Sequence, residues 1–285
     1  MIASNHLRHR LNRDGYVVVP RFLPPERLHY LAHVAETVRG RPVADSLGRD
    51  RYTGHVTEMA ELPQLAEALS WPDHFNLLRE IGFHDPRWFM AFLLQKPPGS
   101  AGLYWHQDWW GWRERSSYYP APPLLFMMFY LVDTGPRNGC LRVLPGTHLR
   151  QHPLHRASAL ADYTSPSSFT APELFSHAKG EVNVPVSAGD LVIRDARLLH
   201  ATHANCSPEW RPMLSLSVAG NYRALGRSVR RTMEVKRPKI EKVWSTQQWE
   251  QVRDAMCLGP AGGEMLPIDR TPSFQPLSVS MTTTT

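Results

Sequence analysis

The chain has 285 residues, 42% of them hydrophobic and 20% charged, which are ordinary values for a soluble globular protein. No stretch approaches the roughly 18 apolar residues of a membrane span, and the three scattered cysteines are too few for a disulfide framework. The net charge of +6 is spread along the sequence, so we expect no nucleic-acid partner; a basic pocket for a small anion accounts for the charge equally well.

The whole chain, 1–285, is expected to form one domain. Residues 1–13 carry basic side chains but no apolar segment and no cleavage site, which predicts a cytoplasmic protein without a secretory signal. We expect a helix-rich part over about 1–87, a β-rich core over about 88–222, and a basic, partly ordered tail over about 223–285.

The first predicted elements are a strand and two helices. Residues 14–20, bounded by Gly and Pro, predict a short buried strand. The proline-led segment 24–40 has apolar residues at helical spacing. A second helical pattern covers 62–81, where Trp71-Pro72 predicts an interruption.

From Trp88 onward, short apolar runs are separated by Gly, Pro, Asn and Asp. Such a series is typical of an all-β sandwich or barrel. The predicted strands are 88–94, 124–132, 140–144, 182–186, 191–194 and 213–219. Residues 156–180 lack a clear pattern, and a loop of that length in a compact domain is a candidate lid over a binding site.

The tetrapeptide Trp105-His106-Gln107-Asp108 is the sharpest local motif. In an extended strand, residues i and i+2 point to the same side, so His106 and Asp108 can bind one metal ion together. A His-x-Asp pair is weak support by itself, because it also arises by chance. A further turn and strand, 189–200, places His200 near a strand end. Two histidines and one carboxylate on one face of an ion are typical of non-haem iron(II) rather than of zinc.

Such a facial set leaves room for oxygen and for a co-substrate that chelates the metal, such as a 2-oxo acid. The distal carboxylate of 2-oxoglutarate then needs a cation. Arg211, eleven residues after His200 and at the start of the next strand, can supply the bidentate pairing that a carboxylate favours.

These residues resemble the phytanoyl-CoA dioxygenase family of iron(II)/2-oxoglutarate oxygenases. The similarity runs in order through the strand at 14–16, Lys-Pro-Pro-Gly at 96–99, Trp-His-Gln-Asp at 105–108, Asn-Gly-Cys-Leu-Arg-Val-Leu-Pro-Gly-Thr-His at 138–148, Gly-Asp at 189–190, and 200–211. The resemblance implies a mainly β fold with flanking helices around a double-stranded β-helix core, a jelly-roll of the cupin type. It also implies dioxygen as oxidant, iron(II) on His106, Asp108 and His200, and 2-oxoglutarate on Arg211 and Thr202.

His203 is an alternative third metal ligand, at a position where the family usually has a small residue. We prefer His200, because it keeps the family's eleven-residue step to Arg211. The resemblance also disfavours halogenation, since related halogenases replace the carboxylate at the position of Asp108 with a small residue.

Aromatic residues crowd the loop that follows the first two ligands. They can pack the mouth of the barrel or form the wall of a site for an apolar or ring-containing substrate; they include Trp109, Trp110, Trp112 and Tyr118. Several arginines can contact an anionic group of the substrate, and each can also be a structural or solvated base; they are Arg113, Arg137, Arg194 and Arg197.

The sequence therefore predicts an iron(II)/2-oxoglutarate-dependent dioxygenase that hydroxylates an unactivated C–H bond and releases succinate and CO2. A small molecule, such as a secondary metabolite, is the expected partner, and neither nucleic acid nor a membrane is. The alternative is a jelly-roll module that binds a metal without turnover.

Overall fold

The computed structural model of the protein describes residues 2–40, 54–160, 171–234, 240–259 and 264–273. Nine strands lie within them: β1 Tyr16–Val19, β2 His55–Glu58, β3 Arg87–Lys96, β4 Leu125–Tyr130, β5 Leu141–Val143, β6 Val182–Val184, β7 Leu191–Asp195, β8 His200–Thr202 and β9 Arg211–Ala219. They form a six-stranded sheet in the order β1-β7-β4-β9-β3-β2 and a three-stranded sheet in the order β6-β5-β8, with antiparallel pairing throughout.

The two sheets pack face to face, because alternate residues of each strand point into the space between them. One buried cluster joins Met128, Val192 and Met213 of the large sheet to Leu141 and Val143 of the small one. This two-sheet arrangement confirms the expected double-stranded β-helix core. The predicted strands all occur, and β2 and β8 are added to them.

Most helices cover the outer face of the large sheet; they are α1 Ile2–Asp14, α2 Pro25–Val38, α3 Leu65–Ser70, α4 Pro72–Glu80, α6 Arg227–Thr232 and α7 Thr246–Val252. Helix α5 Pro153–Leu160 instead packs beside the small sheet, where Leu154 contacts the cluster of Trp105 and Leu199. The expected break at Trp71-Pro72 separates α3 from α4, since proline can begin a helix but cannot continue one. Helix α1 was not predicted, because its sequence is polar; it is held by buried Leu11 and by a hydrogen bond of 2.7 Å from Arg8 to the carbonyl oxygen of Ile81.

The described part of 223–285 packs against the rest of the chain. Helix α7 begins with a capping box, in which Ser245 and Gln248 each accept a main-chain N–H of the other. Trp244 and Trp249 are buried in the large core. Burial of these two indoles favours packing of the segment over its solvation. The basic and Pro/Gly-rich composition of the segment as a whole did not predict this packing.

Part of the expected lid, 161–170, lies outside the described residues. On its far side the main-chain N–H of Trp105 donates to the carbonyl oxygen of Leu174 at 2.7 Å, so this end of the loop packs beside the His-x-Asp motif. No helix in the described ranges is both long and apolar enough to cross a bilayer.

The packing of α7 can be tested by removing its buried indole. We expect Trp249→Ala to lower the free energy of unfolding by about 3–5 kcal/mol, the usual cost of a large core cavity. Urea unfolding measures it, and Gln247→Ala, at an exposed position of the same helix, is the control. Equal effects of the two substitutions would contradict the packing.

Candidate active site

Two histidines from distant segments form one antiparallel bridge. The N–H of His106 donates to the carbonyl oxygen of His200 at 2.9 Å, and the N–H of His200 donates to that of His106 at 2.8 Å. Residues that exchange both hydrogen bonds present their side chains side by side on the same face. The imidazole centroids are accordingly 4.0 Å apart.

Side-chain alternation decides which face the His-x-Asp motif presents to the interior. Trp105 is fully buried on the outer side of the small sheet, packed with Leu144, Leu174 and Leu199. With Trp105 fixed outward, the neighbouring His106 must point inward, and so must Asp108 two residues later. The main-chain N–H of Asp108 is held by the carbonyl oxygen of Ala196 at 2.8 Å.

The three side chains meet at one point. His106, Asp108 and His200 each offer a ligand atom, and these atoms lie within 4.8 Å of one another. The distance from Nε2 of His106 to Oδ1 of Asp108 is 3.7 Å, and that from Nε2 of His200 to Oδ2 is 3.5 Å. The sequence analysis expected these three residues to come together, and the structure places them so.

Both imidazoles are oriented for metal binding through Nε2. The Nδ1 of His106 lies 2.8 Å from the carbonyl oxygen of Tyr104, and that of His200 lies 3.0 Å from the carbonyl oxygen of Leu198. A carbonyl oxygen only accepts, so Nδ1 carries the proton and Nε2 keeps its lone pair. Two neutral imidazoles and a carboxylate on one side of a point suit an octahedral iron(II) ion with open positions opposite.

Electrostatics favour this protonation state. Burial lowers the pKa of His106 and lowers that of His200 well below its usual value, so both rings are neutral at neutral pH. Burial alone would raise the pKa of Asp108, but the positive charge of Arg194, which also donates a hydrogen bond to this carboxylate, holds it well below its usual range. The site therefore offers an ionised carboxylate between neutral imidazoles.

Arg194 adds a buried cation to the site. It lies on β7 opposite Tyr16 and Phe126, and its guanidinium carbon is 4.3 Å from the centroid of the Phe126 ring. Its Nη2 donates to Oδ2 of Asp108, and the side chain is only 4% exposed. The Nε and Nη1 atoms of Arg194 have no hydrogen-bond partner among the described residues.

A second pair of cations lies along the same interior. Lys96 on β3 and Arg211 on β9 are direct cross-strand partners, and both are buried. Burial, followed by the charge of Arg211, lowers the pKa of Lys96 to about 7. Like charges placed opposite each other are destabilising, so this pair indicates a site for an anion.

Thr202 completes this second cluster. Its Oγ1 accepts a hydrogen bond from Nζ of Lys96 at 3.1 Å and another from the N–H of Leu103 at 3.1 Å. With two donors on the oxygen, the hydroxyl proton is directed away from them, toward an acceptor. Thr202 lies two residues after His200 on β8, so the side chains share a face about 6.6 Å apart along the strand.

His203, the alternative ligand, lies outside the group of three. Its Nε2 is 2.7 Å from Oδ1 of Asn183 on β6, at the solvent side of the small sheet. His203 directly follows Thr202, the last residue of β8, so side-chain alternation turns its ring away from the interior.

The predicted substrate residues divide into core and surface positions. Trp109 and Trp112 are almost fully buried, and the indole of Trp109 donates to Oγ of Ser117 at 2.7 Å. The hydroxyl of Tyr118 donates to the carbonyl oxygen of Trp112 at 2.9 Å. These three aromatic residues pack the loop.

Trp110 stacks on Trp109 and lines a cavity of about 380 Å³. Arg137 is exposed and lies beside the loop at 205–209, where its carbonyl oxygen accepts the N–H of Cys206. Arg197 is fully buried against Asp195, and Arg113 is exposed and pairs with Asp269.

The sequence analysis missed Lys96 as an interior cation and missed the segment 264–273. This segment runs beside the Trp-rich loop, where the N–H of Asp269 donates to the carbonyl oxygen of Trp110 at 2.8 Å. Arg270 and Gln107 exchange hydrogen bonds: Nη1 of Arg270 reaches the carbonyl oxygen of Gln107 at 3.3 Å, and Nε2 of Gln107 reaches that of Arg270 at 3.0 Å. No local sequence pattern predicts this contact.

A model of the phytanoyl-CoA dioxygenase family matches residues 11–213. The chain belongs to the phytanoyl-CoA dioxygenase family. As a member, it is a non-haem iron(II) oxygenase that uses 2-oxoglutarate and dioxygen, and the alternative of a non-catalytic module is set aside. The expected family, fold, enzyme class and cofactors are thereby confirmed.

Relatives of this phytanoyl-CoA dioxygenase family member include an ectoine dioxygenase of Sphingopyxis alaskensis. It is 25% identical over 251 residues, which cover 80% of this chain and 78% of the relative. A probable alpha-ketoglutarate-dependent hypophosphite dioxygenase of Stutzerimonas stutzeri is 27% identical over 147 residues, covering 50% of this chain and 49% of that protein.

Solved structures share the fold. The epimerase SnoN in complex with Fe3+, alpha-ketoglutarate and nogalamycin RO superposes with a TM-score of 0.60 at 21% identity, covering 96% of this chain and 97% of that one. HygX from Streptomyces hygroscopicus, with nickel and 2-oxoglutarate bound, gives a TM-score of 0.55 at 16% identity and covers 75% and 86%. At these identities the likeness concerns the fold.

The choice between His200 and His203 can be tested by anaerobic titration with iron(II). We expect His200→Ala to weaken iron binding by more than about 100-fold, because losing a direct ligand costs more than losing an outer contact. His203→Ala, which removes a ring of the same kind three residues away, should leave the affinity unchanged. A larger loss in His203→Ala would reverse the assignment.

Proposed function

We propose that this enzyme hydroxylates an unactivated C–H bond of a small organic molecule, such as a secondary metabolite, and converts 2-oxoglutarate and O2 to succinate and CO2. One oxygen atom enters the product and the other enters succinate. The proposal is carried by the convergence of His106, Asp108 and His200, whose ligand atoms lie within 4.8 Å of one another. We assign these three residues as the iron ligands.

The residues fit iron in charge as well as in position. With one ionised carboxylate and two neutral imidazoles as ligands, iron(II) would keep a net positive charge. An anionic chelating co-substrate would therefore bind to it readily. With Oδ2 of Asp108 bonded to Arg194, Oδ1 would be the oxygen left for the metal. Arg194 thereby acts as a positioning residue for the carboxylate, because it fixes which oxygen faces the ion.

We assign Arg211, Lys96 and Thr202 as the anchor of the distal carboxylate of 2-oxoglutarate. Arg211 and Lys96 are buried neighbours whose charges a carboxylate would balance, and Thr202 has a hydroxyl proton to donate. The spacing of about two strand residues between Thr202 and His200 matches the extended length of a five-carbon diacid. Lys96 adds to this anchor a cation that the sequence analysis did not assign.

Bound iron(II) supplies the activation of dioxygen, coupled to the oxidative decarboxylation of 2-oxoglutarate. The protein contributes geometry and a dry interior. Met128 and Val192 belong to the apolar cluster between the two sheets, and Phe126 packs against that cluster and against Arg194, the partner of Asp108. Apolar surroundings of this kind would exclude water from the C–H bond that reacts.

The names of the relatives support a small-molecule substrate. Ectoine is the substrate named for the dioxygenase of Sphingopyxis alaskensis, and nogalamycin biosynthesis is named for the epimerase and for a carbocyclase of the same fold. The same fold thus serves different fates of a substrate. Product analysis distinguishes them: hydroxylation adds one atom of oxygen from O2, whereas epimerisation or ring closure adds none.

The central test is the anaerobic addition of iron(II) and 2-oxoglutarate. We expect the weak visible charge-transfer band of an iron chelate, and we expect Asp108→Ala to abolish it because a ligand is lost. In air, succinate should form when a substrate is supplied. Tight zinc binding without any chelate band would refute the proposed function.

The carboxylate anchor has its own test. Arg211→Ala should raise the apparent KM for 2-oxoglutarate by roughly 10- to 100-fold, because a buried charge-assisted pair is worth about 1.5–3 kcal/mol. Steady-state kinetics measure it, with Arg223→Ala at an exposed arginine as the control. An unchanged KM in Arg211→Ala would remove Arg211 from the anchor.

We expect the amine of Lys96 to take up a proton when 2-oxoglutarate binds. With its pKa lowered to about 7, the amine is mostly neutral in alkaline solution. A bound carboxylate favours the ammonium form, so we expect uptake of close to one proton at about pH 8.5 and almost none at about pH 5.5. Calorimetry in buffers of different ionisation enthalpy measures it. Lys96→Met should show no uptake, and equal uptake by both proteins would exclude Lys96.

A further inference from the structure

Arg194 points into the space between the two sheets. Val192, two residues earlier on β7, belongs to the apolar cluster that joins the sheets, whereas Ile193 belongs to the large core on the other face. Because side chains alternate along a strand, Arg194 shares the inner face with Val192. A long cationic side chain is therefore buried in the interior of the sandwich.

The guanidinium of Arg194 lies against the metal-binding group. Its Nη2 donates to Oδ2 of Asp108, and that oxygen is 3.5 Å from Nε2 of His200. A guanidinium is planar and its nitrogen atoms are fixed relative to one another, so the other two lie in the same small region. The ring of Phe126, the cross-strand partner on β4, covers the plane at 4.3 Å from the guanidinium carbon. The group is thus held in place from two sides.

Two nitrogen atoms of Arg194, Nε and Nη1, are left without an acceptor. Both are buried and have no hydrogen-bond partner among the described residues, and Asp108 is the one carboxylate in those ranges that forms an ion pair with the side chain. Arg197, three residues later, is a contrast, because its Nη1 donates to two carbonyl oxygens of the Trp-rich loop. A buried donor without an acceptor is costly, so the spare donors of Arg194 indicate an acceptor that a ligand brings.

Arg194 and Arg211 lie far apart along the large sheet. Arg194 pairs with Phe126 on β4, which in turn pairs with Ser217 on β9, six residues beyond Arg211. At about 3.3 Å per residue, the two arginine backbones are separated by about 20 Å along the strands. Arg211 alternates with Met213 of the cluster between the sheets, so it also points inward. The two guanidinium groups therefore approach the interior from opposite ends.

The co-substrate has an anionic group for each end. 2-Oxoglutarate carries two carboxylates: the distal one is assigned to Arg211, and the other binds the metal together with the keto oxygen. The metal-binding carboxylate is thus at the end of the molecule away from Arg211, beside Asp108 and Arg194. Iron(II) would add positive charge here while Asp108 supplies a single negative charge, so a further anion is favoured.

We propose that Arg194 binds the metal-chelating carboxylate of 2-oxoglutarate through the nitrogen atoms that it does not use on Asp108. This proposal rests on the proposed function and adds a second arginine to co-substrate binding, at the other end of the molecule. Arg194 then holds the carboxylate of Asp108 and that of the co-substrate side by side, each with an oxygen left to face the ion.

Pyruvate is the probe that separates the two arginines, because it keeps the 2-oxo acid group and lacks the distal carboxylate. Dissociation constants of pyruvate and 2-oxoglutarate are measured from the chelate band of the anaerobic, iron(II)-loaded enzyme. We expect Arg194→Gln to weaken the binding of both by at least about tenfold, the worth of a charge-assisted hydrogen bond. Arg211→Ala should weaken the binding of 2-oxoglutarate and leave that of pyruvate unchanged.

Three controls separate recognition from damage to the metal site. Imidazole is a neutral ligand of iron, so its dissociation constant, measured by calorimetry, should be the same in the intact enzyme and in Arg194→Gln. Arg194→Lys keeps a cation and should bind pyruvate with an intermediate affinity; it also decides the question if Arg194→Gln does not fold. Arg115→Gln removes an exposed arginine of the Trp-rich loop and should change neither constant.

The proposal is overturned if Arg194→Gln, or Arg194→Lys where only that variant folds, binds pyruvate as tightly as the intact enzyme. The spare donors would then serve the substrate or a buried water. Equal weakening of pyruvate and imidazole also overturns it, because Arg194 would then act only through Asp108. Failure of the proposed function is distinguishable, since the intact enzyme would then give no chelate band with 2-oxoglutarate.

Discussion

Two main-chain hydrogen bonds between His106 and His200 join the segments from which the metal-binding group is built. Because these bonds pair the two residues directly, they hold the imidazoles side by side. They also fix which side chains of the two segments share the inner face. Asp108 falls on the same face two residues along one segment, and Thr202 does so along the other. The iron and 2-oxoglutarate assignments thus depend on one bridge of main-chain atoms.

Strand β7 and the turn after it carry two buried arginines whose ion pairs differ in character. Arg197 donates to Asp195 and also to the carbonyl oxygens of Ser117 and Tyr119, and it is fully buried. It anchors the Trp-rich loop to the sheet, and its donors are used within the protein. Arg194 pairs with Asp108 but keeps two buried nitrogen atoms without partners among the described residues. The first pair is structural, and the second faces the reaction.

The metal-binding group could be predicted from the sequence because each of its features is local. Alternation along a strand placed His106 and Asp108 together, and the fixed step to Arg211 favoured His200 over His203. Most strands could be predicted as well, since apolar runs between turn residues are a local pattern.

Other features depend on contacts between distant residues, and no local pattern reports them. Gln107 and Arg270 are 163 residues apart in sequence. Lys96 could be seen only as a motif residue, because its cross-strand pairing with Arg211 is a property of the sheet. The role of the aromatic loop was ambiguous because a group of tryptophans can form either a core or the wall of a substrate site. Only their burial shows that Trp109 and Trp112 belong to the core.

The position of Arg270 in the chain has a consequence for how such an enzyme diverges. The residues assigned to iron and 2-oxoglutarate all lie within 11–213, the part matched by the family model, whereas 264–273 lies beyond it. Arg270 of this segment nevertheless exchanges hydrogen bonds with Gln107, the residue between His106 and Asp108. A substitution in a stretch that the family model does not match can therefore shift the main chain that carries two of the proposed metal ligands.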